Sequence, residues 1–183
     1  MAHVLILYAT SEGQTAKIAA EMVNNIRDLG FGATLKDLET WPGIYDAADF
    51  DAIIIGASVH FHQYPKEIVA WIERNLDTLK SKLSGFYSVS MTGSQETEEG
   101  RERMDDYLTK LFETTGWYPE LTTSFAGAMR YSEMSGVRQR VGQFVSWRTG
   151  GETDITQNNE YTDWREVRDF SAEFARHLQL MEK

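Results

Sequence analysis

Apolar and polar positions alternate along the chain in a way that predicts strands and helices in turn. Residues 52–56 form a continuous apolar run, which is typical of a parallel strand covered on both faces. Residues 33–38 instead alternate between apolar and polar, which predicts a half-exposed strand near a sheet edge. Three further strands are predicted at residues 3–8, 86–91 and 124–129, so that five strands are expected in all.

The segments between these strands carry apolar residues at helical spacing. Residues 14–29 form the first such segment, and Gly30 after it is a typical C-terminal cap. A second helix is predicted from Pro65 to Leu79, and Thr162 is predicted to cap the last helix. The apolar helical positions are Ile18, Met22, Val23, Ile26, Ile68, Ile72, Leu76, Leu79, Met104, Leu108, Leu111, Phe112, Val167, Phe174 and Leu178. Strands and helices in alternation predict a doubly wound α/β fold with a parallel sheet.

Composition limits what this fold can contain. A chain of 183 residues with 42% hydrophobic content is long enough for one sizeable core, and without repeats or linkers it predicts one domain over residues 1–183. The absence of cysteine excludes disulfides, thiolate metal sites and cysteine nucleophiles. We expect a cytoplasmic protein, because the opening apolar run is too short for a signal peptide and no apolar stretch could span a membrane. A net charge of −10 argues against a nucleic-acid partner.

A polar loop between the first strand and the first helix is the strongest candidate site. Small and hydroxyl-bearing residues around one glycine let backbone N–H groups converge on an anion at the positive end of a helix. The loop has no lysine of a triphosphate-binding GxxxxGK[ST] motif and no GxGxxG, so a single phosphomonoester is the favoured ligand. A plain strand-to-helix turn with Ser or Thr as N-cap is the open alternative. The loop residues are Thr10, Ser11, Glu12, Gly13, Gln14 and Thr15.

Ligands of such sheets bind beyond the carboxyl ends of the strands, which directs attention to the loops at 10–15, 57–64, 92–100 and 130–150. Histidine and aromatic side chains at 60–64 are suited to stack on a flat heteroaromatic ring, or alternatively to pack against the following helix. Two histidines without a third ligand do not predict a metal site. The stretch 58–64 also lacks glycine, so left-handed backbone is expected to cost about 1–2 kcal/mol there.

A family resemblance adds to these patterns. The loop at 10–15, the order of elements and the sequence Gly56-Ala57-Ser58 resemble flavodoxins and their FMN-dependent oxidoreductase relatives over essentially the whole chain. More specifically, the stretches at 55–59, 86–89, 125–131, 150–154 and 161–164 resemble the menaquinone-dependent protoporphyrinogen oxidases of haem biosynthesis. The resemblance implies sheet order 2-1-3-4-5, bound FMN, oxidation of a porphyrinogen and transfer of electrons to a respiratory quinone. A flavodoxin-type electron carrier and a flavin-free binding module are the alternatives.

The resemblance also implies which residues contact the cofactor. Residues of the loop at 10–15 are expected at the phosphate, and residues after the third strand at the flavin ring. The expected ring contacts are Ser58, Val59, His60 and Phe61, and Thr92 and Gly93 after the fourth strand complete the predicted cofactor site. The loop at 92–100 has no aromatic residue, so one flavin face is expected to be open to substrate unless Trp117, Tyr131 or a loop from a second subunit covers it. Because the stretch 58–64 lacks glycine, the one-electron reduced flavin is expected to be disfavoured and two-electron exchange favoured.

Residues 130–148 reverse the sign of the chain's charge. Four arginines against Glu133 give this stretch +3, so the rest of the chain carries −13. The pattern predicts a contact surface for an anionic substrate or for the inner face of the membrane, with an ordinary amphipathic cover over the sheet end as the alternative. The residues expected to bind substrate are Arg130, Tyr131, Arg138 and Arg140. No catalytic residue is assigned from the sequence.

Overall fold

Strands and helices alternate along the chain as the pattern predicts. The computed structural model describes residues 1–10, 13–40, 47–60, 62–90, 98–130 and 158–181, with the backbone alone at 128–130 and 158–160. The strands are β1 His3–Ala9, β2 Gly32–Asp37, β3 Ala52–Ser58, β4 Leu83–Ser90, β5 Leu121–Ala126, β6 Ala128–Arg130 and β7 Asn158–Glu160. The α-helices are α1 Gln14–Asp28, α2 Lys66–Arg74, α3 Leu76–Ser81, α4 Glu98–Thr115 and α5 Trp164–Met181, and a short 3-10 helix spans Ala47–Asp49.

Five of these strands form one parallel sheet in the order β2-β1-β3-β4-β5, which confirms the predicted fold. All eight residues of β4 are buried, as expected of a strand covered on both faces, whereas most of β2 at the edge is half-buried. The sheet is therefore most deeply enclosed along β3 and β4.

Alternate residues of each strand feed two separate hydrophobic layers. On β1, Val4 and Ile6 join a layer that packs under α1 and α5. Leu5 and Leu7 join the opposite layer, under α2, α3 and α4. Because both faces of the sheet are covered in this way, polar chemistry is confined to its edges and to the loops beyond the strand ends.

Besides the starts of β4 and β5, which lie at Leu83 and Leu121 and not at residues 86 and 124, three predicted boundaries are wrong. The helix expected from Pro65 to Leu79 is broken at Asn75, whose side chain donates a hydrogen bond to the Trp71 carbonyl and leaves two shorter helices. The strand expected at 124–129 ends at Ala126, because Gly127 turns the chain out of the sheet into β6. The consequence is a second, two-stranded antiparallel sheet of β6 and β7 that the pattern did not predict.

The third wrong boundary concerns the last helix. Asp163, and not Thr162, supplies the capping side chain, since its carboxylate accepts the Arg165 N–H at 2.8 Å. Thr162 is buried and its hydroxyl donates to the Ala126 carbonyl at 2.7 Å. Thr162 therefore joins the start of α5 to the end of β5, at the edge where a ligand is expected.

Candidate functional site

The chain reverses its winding direction between β1 and β3. Ala9 and Ala57 are paired at the ends of these neighbouring strands, so Thr10 and Ser58 leave the sheet side by side. The helix after β1 covers one face of the sheet and the helix after β3 covers the other. This is the position at which open α/β sheets bind ligands beyond their carboxyl ends.

Gly13 gives the first helix an uncapped N-terminus. It occupies the N-cap position in the left-handed region, with φ 82° and ψ −10°, and no side-chain hydrogen bond caps the helix. The alternative interpretation of this loop, a turn with Ser or Thr as N-cap, is therefore wrong. The first turn of α1 contains no acidic residue, so nothing within it competes with an anion for the N–H groups at the positive end of the helix.

Two side chains at the start of α1 hold buried polar atoms without partners. Thr15 is fully buried and Gln14 is 2% exposed, yet Thr15 Oγ1 and Gln14 Oε1 make no hydrogen bond in the described part of the chain. Thr10 Oγ1 accepts the Gly13 N–H at 2.9 Å and keeps its own hydrogen for another acceptor. Buried polar groups without partners are uncommon and costly, so these atoms point to a ligand.

The same two residues are fixed by contacts from the start of α5 and from β4. Gln14 Nε2 donates to Thr162 Oγ1 at 2.9 Å, which orients its amide and leaves Oε1 as the unpartnered atom. Tyr87, fully buried on β4, donates its hydroxyl to the Thr15 carbonyl at 3.1 Å. Burial raises the pKa of Tyr87 well above its usual range, and nearby Tyr8 adds to the shift, so this hydroxyl stays protonated and donates.

The loop after β3 contains a tight hairpin. His60 and Gln63 exchange two backbone hydrogen bonds, at 2.9 and 3.0 Å, and His62 has a φ of 65°. This glycine-free loop therefore contains one residue in the left-handed region that is costly for a residue with a side chain. The two hydrogen bonds and the contact of His62 Nδ1 with the Tyr107 hydroxyl, 2.6 Å away on α4, hold a conformation that costs about 1 kcal/mol or more.

Two aromatic residues proposed near a ring ligand belong to the core instead. The Tyr64 ring packs edge-on against Phe86 at 5.4 Å between centroids, and its hydroxyl donates to Ser88 Oγ at 2.9 Å. Trp117 is fully buried near the amino end of β4, where its Nε1 donates to Ser84 Oγ at 3.2 Å. Both side chains are therefore engaged within the core. Of the two alternatives for Tyr64, packing against neighbouring residues agrees with the structure, and stacking on a ring ligand does not.

Residues 127–130 and 158–161 flank a stretch that includes most of the basic segment. β6 and β7 pair Ala128 with Glu160, and the Tyr161 N–H donates to the Gly127 carbonyl at 3.1 Å. Both ends of the stretch between them are thus held beside the end of β5. Arg130 lies in β6, where the structure describes its backbone alone. The remaining predicted contacts outside the described residues are Ser11, Glu12, Phe61, Thr92, Gly93, Tyr131, Arg138 and Arg140.

The described residues at the end of β1 offer hydrogen-bond donors that suit a phosphate group. Hydroxyls of Thr10 and Thr15 and the N–H groups of an uncapped helix converge where β1 ends, and the loop after β3 lies beside them. Within the described ranges, no three His, Asp or Glu side chains are grouped to hold a metal ion. None of the described helices is long and apolar enough to cross a membrane. The hydroxyls and N–H groups at the start of α1 make phosphate binding the chemistry that the described residues fit best.

Comparisons with known sequences agree with this geometry. Proteins named protoporphyrinogen IX dehydrogenase (quinone) from Escherichia coli strain K12 and from Leishmania major are each 28% identical to this chain. The first match covers 95% of this chain and 94% of the relative, and the second covers 93% and 74%. The resemblance predicted from the sequence motifs is confirmed.

Solved structures and a family model give the same result for the fold. Oxidised flavodoxin 1 from Bacillus cereus matches with a TM-score of 0.55 at 15% identity, over 96% of this chain and 98% of that one. The flavodoxin of Streptococcus pneumoniae TIGR4 matches with a TM-score of 0.52 at 18% identity, over 96% and 99%. A model of the flavodoxin domain matches residues 5–156. The chain therefore belongs to the flavodoxin domain family.

Proposed function

We propose that this protein is an FMN-dependent oxidoreductase that dehydrogenates protoporphyrinogen IX and reduces a quinone. The observation that carries the proposal is the buried hydroxyl of Thr15 at the start of α1, which has no hydrogen-bond partner among the described residues. Its surroundings suit a phosphomonoester, and FMN is a flavin that ends in one. The two relatives named for the porphyrinogen reaction support the choice of substrate and acceptor.

The proposed cofactor contacts follow the edge of the sheet. Thr10, Thr15 and the first N–H groups of α1 hold the phosphate, together with Ser11 and Glu12. Ser58, Val59, His60 and Phe61 would contact the flavin ring, and Thr92 and Gly93 would complete the cofactor site. When bound, FMN supplies the two-electron chemistry that removes hydrogen from a carbon and later reduces a quinone to a quinol.

The substrate is proposed to be held through its propionate groups. Porphyrinogens carry carboxylates at their rim, and Arg130, Arg138 and Arg140 with Tyr131 belong to a stretch of charge +3 in an otherwise acidic chain. Arginine binds carboxylates through paired, charge-assisted hydrogen bonds. The pairing of β6 with β7 just after β5 supports this proposal, because the two strands flank residues 131–157. Pairs of hydrogen atoms leave the macrocycle and appear on the quinone, so electrons and protons balance.

A direct assay tests the reaction. The purified protein is expected to be yellow, to retain FMN through gel filtration, and to oxidise protoporphyrinogen IX anaerobically when a quinone is supplied. Formation of the fluorescent porphyrin is the measurement. A protein that binds FMN but leaves the porphyrinogen unchanged would be an electron carrier of the flavodoxin type. A colourless protein that takes up no FMN would contradict every redox interpretation and leave an anion-binding module.

The role of the basic segment can be tested by charge reversal. Arg138→Glu combined with Arg140→Glu is expected to raise KM for the porphyrinogen at least about tenfold, because two propionate contacts become repulsive. Steady-state kinetics at fixed quinone concentration measure this effect. The matched control is Arg168→Glu with Arg176→Glu, the same charge change at exposed positions of α5, which should leave KM unchanged. Release of the first variant from anionic vesicles with an unchanged KM would assign the segment to the membrane instead.

A further inference from the structure

Packing from the neighbouring strands fixes the orientation of the Tyr87 ring. Tyr87 pairs in register with Gly56 of β3, and its ring fills the space where a side chain at 56 would lie. A Cβ built on Gly56 would stand 1.9 Å from Tyr87 Cζ. On its other side the ring meets Phe125, with 5.9 Å between centroids. The direction of the phenol, and with it the position of its hydroxyl, is therefore set by the packing of three strands.

The hydroxyl of Tyr87 crosses from the sheet to the first helix. It donates to the Thr15 carbonyl at 3.1 Å, in a fully buried environment. That carbonyl lies in the first turn of α1, where the helix supplies its own donor one turn further along. The carbonyl has a second lone pair, so the tyrosine hydroxyl adds a bond to a group that is already satisfied.

Packing of the hydrophobic core does not require the Tyr87 hydroxyl. A phenylalanine would fill the same space without burying a polar group, and burying one stabilises little beyond offsetting its own desolvation. What the hydroxyl adds is a fixed distance between β4 and the backbone of Thr15. Thr15 is also the residue whose own hydroxyl is buried and unpartnered. The bond thus acts on the backbone of the residue that points to the ligand.

We propose that Tyr87 is a positioning residue for the cofactor phosphate, holding the Thr15 backbone so that the Thr15 hydroxyl meets a phosphate oxygen. This inference rests on the FMN site proposed above and assigns a role to a residue that does not touch the cofactor. It predicts that Tyr87 affects the phosphate end of the ligand and leaves the flavin ring and its polyol chain alone.

Tyr87→Phe tests the inference because it removes one oxygen and keeps the ring. The measurement is the Kd of the cofactor-free protein for FMN and for riboflavin, which lacks the phosphate. We expect Kd for FMN to rise about fivefold, the equivalent of one hydrogen bond, and Kd for riboflavin to stay the same. In a Thr15→Ala background the same substitution should no longer affect FMN, because the hydroxyl that Tyr87 positions is gone.

Thr115→Val is the matched control. It removes another buried hydroxyl, that of the last residue of α4, which also donates to a backbone carbonyl, that of Leu111 at 2.9 Å. It should lower the melting temperature without changing the preference for FMN over riboflavin. An unchanged preference in Tyr87→Phe would overturn the positioning role and leave the FMN site intact. A wild-type protein without any preference for FMN would overturn both proposals.

Discussion

Thr15→Ala is expected to weaken FMN binding at least tenfold. A hydrogen bond between a hydroxyl and a phosphate dianion is charge-assisted and contributes about 1.5–3 kcal/mol, which corresponds to roughly 10- to 150-fold in Kd. The geometry favours the upper part of this range, since Thr15 is fully buried and its Oγ1 has no partner among the described residues. Fluorescence titration of the cofactor-free protein measures the loss.

The stability of the free protein should move in the opposite direction to the affinity. Replacing a buried hydroxyl that has no partner removes an uncompensated polar group, so the cofactor-free Thr15→Ala protein should melt no lower than the wild type. Thr15→Ser is the control, because it keeps the hydroxyl and should retain most of the affinity. If Thr15→Ala bound FMN as tightly as the wild type, the phosphate would have to lie elsewhere.

The fold was predictable because burial decides it. A continuous apolar run at residues 52–56 and an alternating one at 33–38 distinguish a central strand from an edge strand, and the structure places them so. The boundaries that failed depend on single polar side chains. Asn75 breaks a helix through a bond to a backbone carbonyl, and no periodicity of apolar residues reports such a bond.

The sequence predicts which loops form the candidate site, but not which distant side chains hold them in place. The sequence identifies the loop at 10–15 by residue type, whereas the two side chains that hold it come from distant strands and helices. The sequence predicts Thr162 as a helix cap. In the structure Thr162 is buried, and its hydroxyl accepts a hydrogen bond from Gln14 instead. A signal for Tyr87 did exist: a phenol in a buried strand needs a partner for its hydroxyl, and that requirement directs a search for an acceptor.

The left-handed backbone at His62 is another feature that the sequence does not predict. Glycine-free sequence predicts ordinary backbone because a side chain makes the left-handed region costly. Here the hairpin between His60 and Gln63 and the contact with Tyr107 offset that cost. Both are tertiary or turn-specific contacts, and neither has a sequence pattern that distinguishes it from a plain polar loop.

Gly56→Ala is expected to be the most destabilising single-methyl change in this site. The new Cβ would lie 1.9 Å from Tyr87 Cζ and 2.2 Å from its hydroxyl oxygen, closer than any real contact. The ring cannot step aside, because Phe125 and the adjoining strands enclose it. Overpacking of this severity costs about 3 kcal/mol or more. Chemical denaturation should show the loss as a lower midpoint at an unchanged slope.

A double-mutant cycle identifies the cause. Tyr87→Leu shortens the opposing side chain, and in that background Gly56→Ala should cost at least about 2 kcal/mol less than in the wild type. Gly127→Ala is the control within the same sheet region: its Cβ would meet Val89 at 3.5 Å, an ordinary contact, so little change in stability is expected. Equal costs of Gly56→Ala in both backgrounds would show that the glycine is needed for some reason other than the tyrosine ring. The crowded ring carries the hydroxyl bonded to Thr15. Gly56→Ala protein that still folds should therefore also lose affinity for FMN and keep its affinity for riboflavin.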